Sequence, residues 1–342
     1  MIWVLVLCGV IWSVGLAFGV GLARRLTVVG AVWIAAFVLF RIPFDLASDH
    51  ARLWILVTVV AVVVAVYTSV LKRLKQMVKV PDRPSAPPVP KVGFQPEELE
   101  RYARHILWRE IGGPGQTALK SARVRVVGAG GLGSPALLYL AAAGVGVLGV
   151  VDDDTVDASN LQRQIIHTNQ SIGLPKVQSA KAAMLALNPF VEVRAVQARL
   201  TEATAVLVAE YDLILDGSDN FDTRYLVNRL AAKAGKPLIS AAITQWEGQI
   251  SVYDPARGTP CYECIFPHRP APGMVPTCAE AGVAAPLPGI LGSMMAMEAV
   301  KHLTGAGEGL RGRLMIYDAL YAEVRVIGIK RREDCAVCGT SH

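Results

Sequence analysis

The chain has 342 residues, 53% of them hydrophobic and only 18% charged, with 34 basic and 28 acidic residues for a net charge of +6. So little charge on so apolar a chain excludes intrinsic disorder, and 6 cysteines over this length exclude a small disulfide-stapled fold. The mean hydropathy of +0.40 points to a part of the chain that faces lipid.

The charge is concentrated at one end. Residues 1–75 carry seven basic groups (Arg24, Arg25, Arg41, Arg52, Lys72, Arg73, Lys75) and two acids (Asp45, Asp49), and the rest of the chain is nearly neutral. The basic balance therefore does not mark a nucleic-acid-binding face on a folded domain. Residues 2–23 and 53–71 hold no charged residue, and residues 26–44 hold only Arg41 near their end. Each is long enough to cross the ~30 Å hydrocarbon core as a helix. Two or three transmembrane helices are expected. With three, and the N-terminus outside, Arg24-Arg25 and Lys72-Arg73 both fall on the cytoplasmic side. The expected place is a bacterial inner membrane with the remainder of the chain in the cytoplasm.

Residues 76–96 form the next block, with six prolines between Pro81 and Pro96. Such a run is extended and semi-rigid, and serves as a spacer. The third block, residues 97–342, alternates strand and helix patterns. A helix is expected over 99–111, then a strand over Arg123–Val127 and the glycine turn Gly128-Ala129-Gly130-Gly131-Leu132-Gly133. A helix over 134–143 and a strand over Val147–Val151 follow, the strand ending in Asp152-Asp153-Asp154. A strand, a G-x-G-x-x-G turn, a helix and an acid about 20 residues on form a nucleotide-binding unit. Its glycines let backbone approach phosphate at a helix N-terminus. Asp152 is placed to bind ribose hydroxyls.

Taken alone, that unit fits an NAD-dependent oxidoreductase. The following segments add charges of another kind. Ser159-Asn160-Leu161-Gln162-Arg163 comes just past the second strand, and Lys176 opens a further helix after Gly173-Leu174-Pro175. A third strand over 212–215 leads into Asp216-Gly217-Ser218-Asp219-Asn220. Arg163 and Lys176 suit a triphosphate, and Asp219 suits Mg2+. A non-catalytic membrane scaffold is the remaining alternative, and the gathered cations argue against it. Farther on, Cys261-x-x-Cys264 and Cys335-x-x-Cys338 supply four thiolates for a closed tetrahedral Zn2+ site. Residues 285–304 read as a long apolar helix whose methionines fill core space.

From Tyr102 to Cys338 the chain resembles the ThiF/MoeB/HesA family, the bacterial relatives of ubiquitin-activating enzymes. The resemblance rests on RYARHI, GAGGLG, VDDDTVDASNLQRQ, GLPKVQSA, LDGSDNFDTR, EGQI, CYEC, TCAEAGV and CAVCG, in that order. The expected fold is α/β, a Rossmann-like, mainly parallel sheet flanked by helices. The implied reaction is ATP-dependent adenylylation of the C-terminal glycine carboxylate of a small ubiquitin-like β-grasp sulfur-carrier protein. The resemblance assigns nucleotide contacts to Gly128, Gly130, Gly131, Gly133, Asp152, Ser159, Asn160, Leu161, Gln162, Arg163, Lys176, Asp219 and Asn220. Asp219 would hold Mg2+. Arg104 matches an arginine that enters a neighbouring subunit's site, which implies a homodimer. Cys278 matches a loop cysteine that in some members forms a covalent link to the partner. EGQI matches the strand beside the partner's tail. The chain ends four residues after Cys338, so the family's C-terminal rhodanese domain is not expected.

Overall fold

A computed structural model of the chain describes residues 93–271, 274 and 281–339, together with residues 8, 10–13, 28–30, 32, 59–60, 63–64, 66–67 and 69–70. The chain divides into two compact units, Met1–Ser85 and Ala86–His342. In the first unit the described residues are helical. Among the described residues no helix is long and apolar enough to cross a membrane. The three expected spans fall mostly outside them, as do residues 76–92 of the proline-rich spacer and Cys278.

The second unit begins with three short helices, α1 (Pro96–Arg101), α2 (Ala103–Ile106) and α3 (Gly112–Ser121). Pro96 is the first residue of α1, not the end of the spacer; its fixed φ suits the first helical turn. The single helix expected over 99–111 is broken at Tyr102, which leaves helical geometry at φ −94°, ψ 7°. Its hydroxyl accepts a hydrogen bond from Asn188 Nδ2 at 2.8 Å. Its ring lies over Gly144, where a Cβ would come within 2.5 Å of it. Docking of this one aromatic outweighs helical continuity.

The rest alternates: β1 (Arg123–Val127), α4 (Gly133–Ala143), β2 (Val147–Val151), α5 (Lys176–Leu187), β3 (Glu192–Val196), α6 (Val206–Ala209), β4 (Leu213–Asp216), α7 (Phe221–Lys233), β5 (Leu238–Ile243), β6 (Glu247–Tyr253), α8 (Tyr262–Ile265), α9 (Pro286–Thr304), β7 (Arg313–Asp318) and β8 (Glu323–Gly328). The sheet order is β3-β2-β1-β4-β5-β6-β7-β8. The pairings from β3 to β5 are parallel, as expected. Those from β5 to β8 are antiparallel. The region around residues 241–252 is thus two strands of a hairpin, and three antiparallel strands extend the parallel half. β3 escapes a sequence reading because its Glu-Val-Arg-Ala-Val is a half-exposed edge with too little apolar periodicity. β4 is the opposite case: Leu-Ile-Leu-Asp is buried throughout, as in a parallel strand covered on both faces.

Two cores cover the two faces. One joins α4, α5 and α9 to the sheet through Leu137, Leu140, Met184, Leu291 and Met295. The other joins α6, α7 and α8 through Val208, Tyr225, Leu230 and Tyr262. Of the methionines in α9, Met295 is fully buried, Met294 packs against the core and Met297 is 53% exposed. α9 crosses α4 closely: a Cβ on Gly292 would meet the Leu132 carbonyl oxygen at 2.2 Å. That approach brings Pro288 against Gly131 and so fixes the roof of the glycine turn.

Candidate active site

The strand order reverses at β1, whose neighbours are β2 and β4. In an open α/β sheet the crevice at such a switch point, beyond the strand C-termini, is where ligands bind. A cavity of about 670 Å³ occupies that place, within the size of small-molecule sites. Its walls include Gly128, Gly130, Gly131, Asp152, Arg163, Lys176, Asp219 and Asn220, brought together from four segments.

The floor is the turn after β1. Gly128 has φ +91°, a conformation that suits glycine. A Cβ on Gly133 would lie 1.9 Å from the Gly128 carbonyl oxygen, so this glycine closes the turn and does not face the cavity. Two polar groups, the half-buried Asp152 and the buried His167, hold the turn. Asp152 Oδ2 accepts from Ala129 N at 2.8 Å and its Oδ1 from Asp154 N at 2.9 Å. Burial pushes the Asp152 carboxyl up, against those two bonds and the nearby Lys176 charge. His167 Nε2 lies 2.9 Å from the Ala129 carbonyl oxygen, and Nδ1 lies 2.9 Å from Ser179 Oγ. A carbonyl only accepts, so Nε2 carries the proton and Ser179 donates to Nδ1. Burial lowers the His167 pKa, which keeps this ring neutral.

The cationic wall comes from two loops. Arg163 donates to the Ser159 carbonyl at 3.1 Å. Lys176, at the start of α5, is buried and pairs with Asp154 at 2.7 Å. Ser159, Asn160, Leu161 and Gln162 do not line the cavity; Arg163 and Gln164 do. Ser159 and Asn160 instead build the turn over Ala158–Asn160. Asp157 Oδ1 accepts from Ser159 N and Oγ, and Asn160 Oδ1 accepts from Asp157 N. Arg104 is exposed on α2 and lies outside the cavity lining. Arg199, just past β3, adds an exposed cation to the lining that the sequence reading did not single out.

The fourth segment follows β4. Asp216 is fully buried; its Oδ1 accepts from Ser218 N at 3.0 Å and Ser218 Oγ at 2.5 Å, and its Oδ2 from Ser240 Oγ at 2.8 Å. Arg224 of α7 lies 3.5 Å from Asp216 Oδ2 and donates to the carbonyls of Ser218 and Ala241. This buried pair pins the loop that exposes Asp219. Asn220 Oδ1 accepts from Thr223 N at 2.9 Å and caps α7. Neither Asp216 nor Arg224 is recognisable from spacing, because their roles depend on the contact of β4 with α7. The carboxylates of Asp152, Asp153 and Asp154 also lie within 4.8 Å of one another.

Cys261, Cys264, Cys335 and Cys338 form a separate buried cluster. The sulfur separations are 3.9 Å for Cys261–Cys264, 3.6 Å for Cys261–Cys335 and 3.4 Å for Cys264–Cys338. A tetrahedron with Zn–S bonds of ~2.3 Å has edges of ~3.8 Å, whereas a disulfide needs ~2.05 Å. The four donors therefore fit a tetrahedral metal ion. Arg332 N, 3.5 Å from Cys264 Sγ, adds a backbone donor to a sulfur. Burial and the neighbouring sulfurs push the Cys261 thiol up, and burial pushes Cys264 to about 11, so joint ionisation calls for a cation. Tyr262, between the first two cysteines, reaches the cavity wall with Phe266.

A switch-point cleft with a glycine floor and a cationic wall, beside a separate cluster of four cysteines, defines a nucleotide-handling α/β enzyme. The ThiF family model matches residues 102–337, and the chain belongs to the ThiF family. It is 50% identical over 248 residues to a sulfur carrier protein adenylyltransferase of Thermus thermophilus, covering 71% of this chain and 92% of the relative. It is also 50% identical over 253 residues to a probable adenylyltransferase/sulfurtransferase MoeZ of Mycobacterium tuberculosis, covering 72% of this chain and 64% of that protein. The solved structure of Escherichia coli MccB with MccA-N7isoASN superposes with a TM-score of 0.63 at 23% identity, over 70% of this chain and 75% of that one, a likeness of fold. The expected enzyme class, an adenylyltransferase, is the one for which both relatives are named.

Proposed function

We infer that the protein is a membrane-anchored adenylyltransferase that uses ATP to activate the C-terminal glycine carboxylate of a small ubiquitin-like sulfur-carrier protein. The observation that carries this reading is the convergence of Arg163, Lys176 and Asp219 on one cavity over the glycine turn. In the reaction the glycine carboxylate attacks the α-phosphorus of ATP. The α–β bridging bond breaks and pyrophosphate leaves, giving an acyl-adenylate. The attacking carboxylate is already ionised at neutral pH, so no general base is needed. What the site must supply is alignment and charge neutralisation on the phosphates.

Lys176 and Arg163 do the second from opposite loops. The glycine turn accepts the phosphates closely, and Asp152, already bound to the turn's Ala129 N–H, presents its remaining acceptor capacity to the ribose. Asp219 would hold Mg2+, which would screen the phosphate charge. The cavity continues past the phosphates along Thr244, Glu247, Gly248 and Gln249, a course suited to an extended peptide tail beside β6. Arg104, exposed on α2, is then free to enter the cleft of a second copy in a homodimer. Zn2+ at the four cysteines would clamp the C-terminal segment to α8, as a closed structural site with no open position. Cys278 remains a candidate for a covalent link to the partner.

The anchor is supported by the uncharged stretches 2–23, 26–44 and 53–71 and their flanking basic clusters. The described residues Val59, Val60, Val63, Val64, Val66 and Val70 are helical and exposed, an apolar surface that lipid would cover. The test is ATP–pyrophosphate exchange by the purified chain with a candidate partner ending in Gly-Gly. Exchange that depends on the partner supports the reading; tight NAD binding with no exchange overturns it.

A further inference from the structure

Two consecutive peptide groups of the glycine turn are held by two different side chains. The Gly128–Ala129 peptide donates its N–H to Asp152 Oδ2 at 2.8 Å. The Ala129–Gly130 peptide turns its carbonyl oxygen to His167 Nε2, which donates to it at 2.9 Å. Ser179 Oγ, 2.9 Å from Nδ1, serves the other ring nitrogen and leaves the proton on Nε2. Ala129, His167 and Ser179 are all buried and lie outside the cavity lining. In a trans peptide the C=O and the N–H point in opposite directions. With the Ala129 carbonyl turned inward to His167, the Gly130 N–H points the other way, and Gly130 lines the cavity. The Gly130 carbonyl accepts from Ser134 N at 2.9 Å at the start of α4, but among the described residues Gly130 N has no partner. A free N–H at a helix N-terminus is a donor for phosphate.

The backbone alone does not hold that orientation. Glycines at 128 and 130 flank the unit and leave it wide conformational freedom. Asp152 restrains only the preceding peptide. A half-turn of the Ala129–Gly130 peptide would face its carbonyl oxygen, a partial negative charge, to the cavity. Among the described residues, His167 makes the one side-chain hydrogen bond to this peptide.

We propose that His167 is a positioning residue for phosphate binding: it fixes the Ala129–Gly130 peptide so that the Gly130 N–H, and not the Ala129 carbonyl, meets the phosphates of the nucleotide. The proposal rests on the adenylyltransferase reading. It goes beyond it by assigning a residue outside the cavity, acting through the backbone, to the hold on ATP. His167 lies four residues after Arg163, so one loop supplies both a cation to the cavity and the support beneath the turn.

The experiment uses the full chain in detergent. Binding of a non-hydrolysable ATP analogue, and of adenosine, which has no phosphate, is measured by calorimetry for the wild type, His167→Asn and His167→Gln. The Gln amide nitrogen reaches the place of Nε2 and can still donate to Ala129. The Asn amide reaches only the place of Nδ1 and cannot. His167→Asn should weaken the analogue by ~10-fold or more, the worth of one hydrogen bond to a charged group, and leave adenosine unchanged. His167→Gln should restore most of the lost affinity. Wild-type affinity in His167→Asn, an equal loss for both ligands, or a loss in His167→Gln as large as in His167→Asn overturns the assignment. A second measurement needs no variant. Deuterium exchange resolved to single amides should slow at Gly130 by ~10-fold or more when the wild type binds the analogue, and not when it binds adenosine. Unchanged exchange at Gly130 with the analogue bound overturns the inference, whether or not a variant folds, and leaves the adenylyltransferase reading standing. A wild-type chain that binds no ATP analogue overturns that reading and this inference with it.

Discussion

Lys176 and Asp154 are tied to each other twice: the side chains pair at 2.7 Å, and Lys176 N donates to the Asp154 carbonyl at 3.0 Å. The lysine side chain is 7% exposed and the aspartate 64%, so the cation is held inside the cavity by a partner that faces solvent. The loop after β2 and the start of α5 are thereby set in one geometry. The buried member is the one expected to meet phosphate.

Lys176→Ala and Arg163→Ala should each lower pyrophosphate exchange by ~10²-fold or more, because each removes a positive charge acting where charge develops. Asp154→Asn should cost less than about fivefold, since a half-exposed pair is worth only ~0.2–1 kcal/mol. Near-wild-type exchange in Lys176→Ala would remove that residue from the phosphate site.

Arg224→Leu leaves the Asp216 carboxylate buried beside two serines and no cation. Breaking such a pair costs on the order of 3–5 kcal/mol. Urea denaturation of the variant should show a matching loss of stability, and exchange activity should fall with it because the 216–220 loop loses its anchor. An unchanged urea midpoint would show that the serine hydrogen bonds alone suffice.

Metal analysis of the purified chain should give one Zn2+ per protein, and Cys335→Ser should lose it. Metal binding and folding are coupled at such sites, so limited proteolysis should then cut the C-terminal segment beyond β8 sooner than in the wild type. Absence of metal with four freely alkylated thiols in the native protein would contradict the tetrathiolate.

Acid should weaken the fold before the carboxylates titrate. His302 is half-buried beside Arg311 and Arg257, and its pKa is pushed down from 6.5 to about 3, chiefly by desolvation. Burial also lowers His167. Below about 6.5 the unfolded chain takes up protons at these rings that the folded chain refuses, so stability falls as pH drops from there towards about 3. Urea midpoints at pH 7.5 and 5.5 measure this. His302→Gln, which can still accept from Arg311 but cannot titrate, should show a smaller drop; an equal drop would assign the effect elsewhere.

The tether should be separable from catalysis. Residues Ala86–His342 form a compact unit with their own sheet and two cores. A truncated protein beginning at Lys91 should be soluble, dimeric and active in exchange with a suitable partner. If it folds and dimerises but is inactive, while the full chain in detergent is active, the membrane segment takes part in the mechanism.

The sequence by itself determined three of the parallel strands, β1, β2 and β4, together with the glycine turn and the cysteine pairs. Each is a local signal: β-branched runs for Arg123–Val127 and Val147–Val151, glycines where backbone must turn, and thiols at fixed spacing. It also placed Arg163, Lys176 and Asp219 near strand ends, where the fold then brought them to one cavity. Only the tertiary structure decided that Tyr102 interrupts the first helix, that three antiparallel strands extend the sheet and that β3 is an edge. It alone revealed His167 under the glycine turn, the Asp216–Arg224 pair beneath the 216–220 loop and Tyr262 of the cysteine-bearing α8 on the cavity wall. Each of these depends on contacts between residues many positions apart. Their worth comes from burial and from partners on other elements, and neither leaves a periodic trace along the chain.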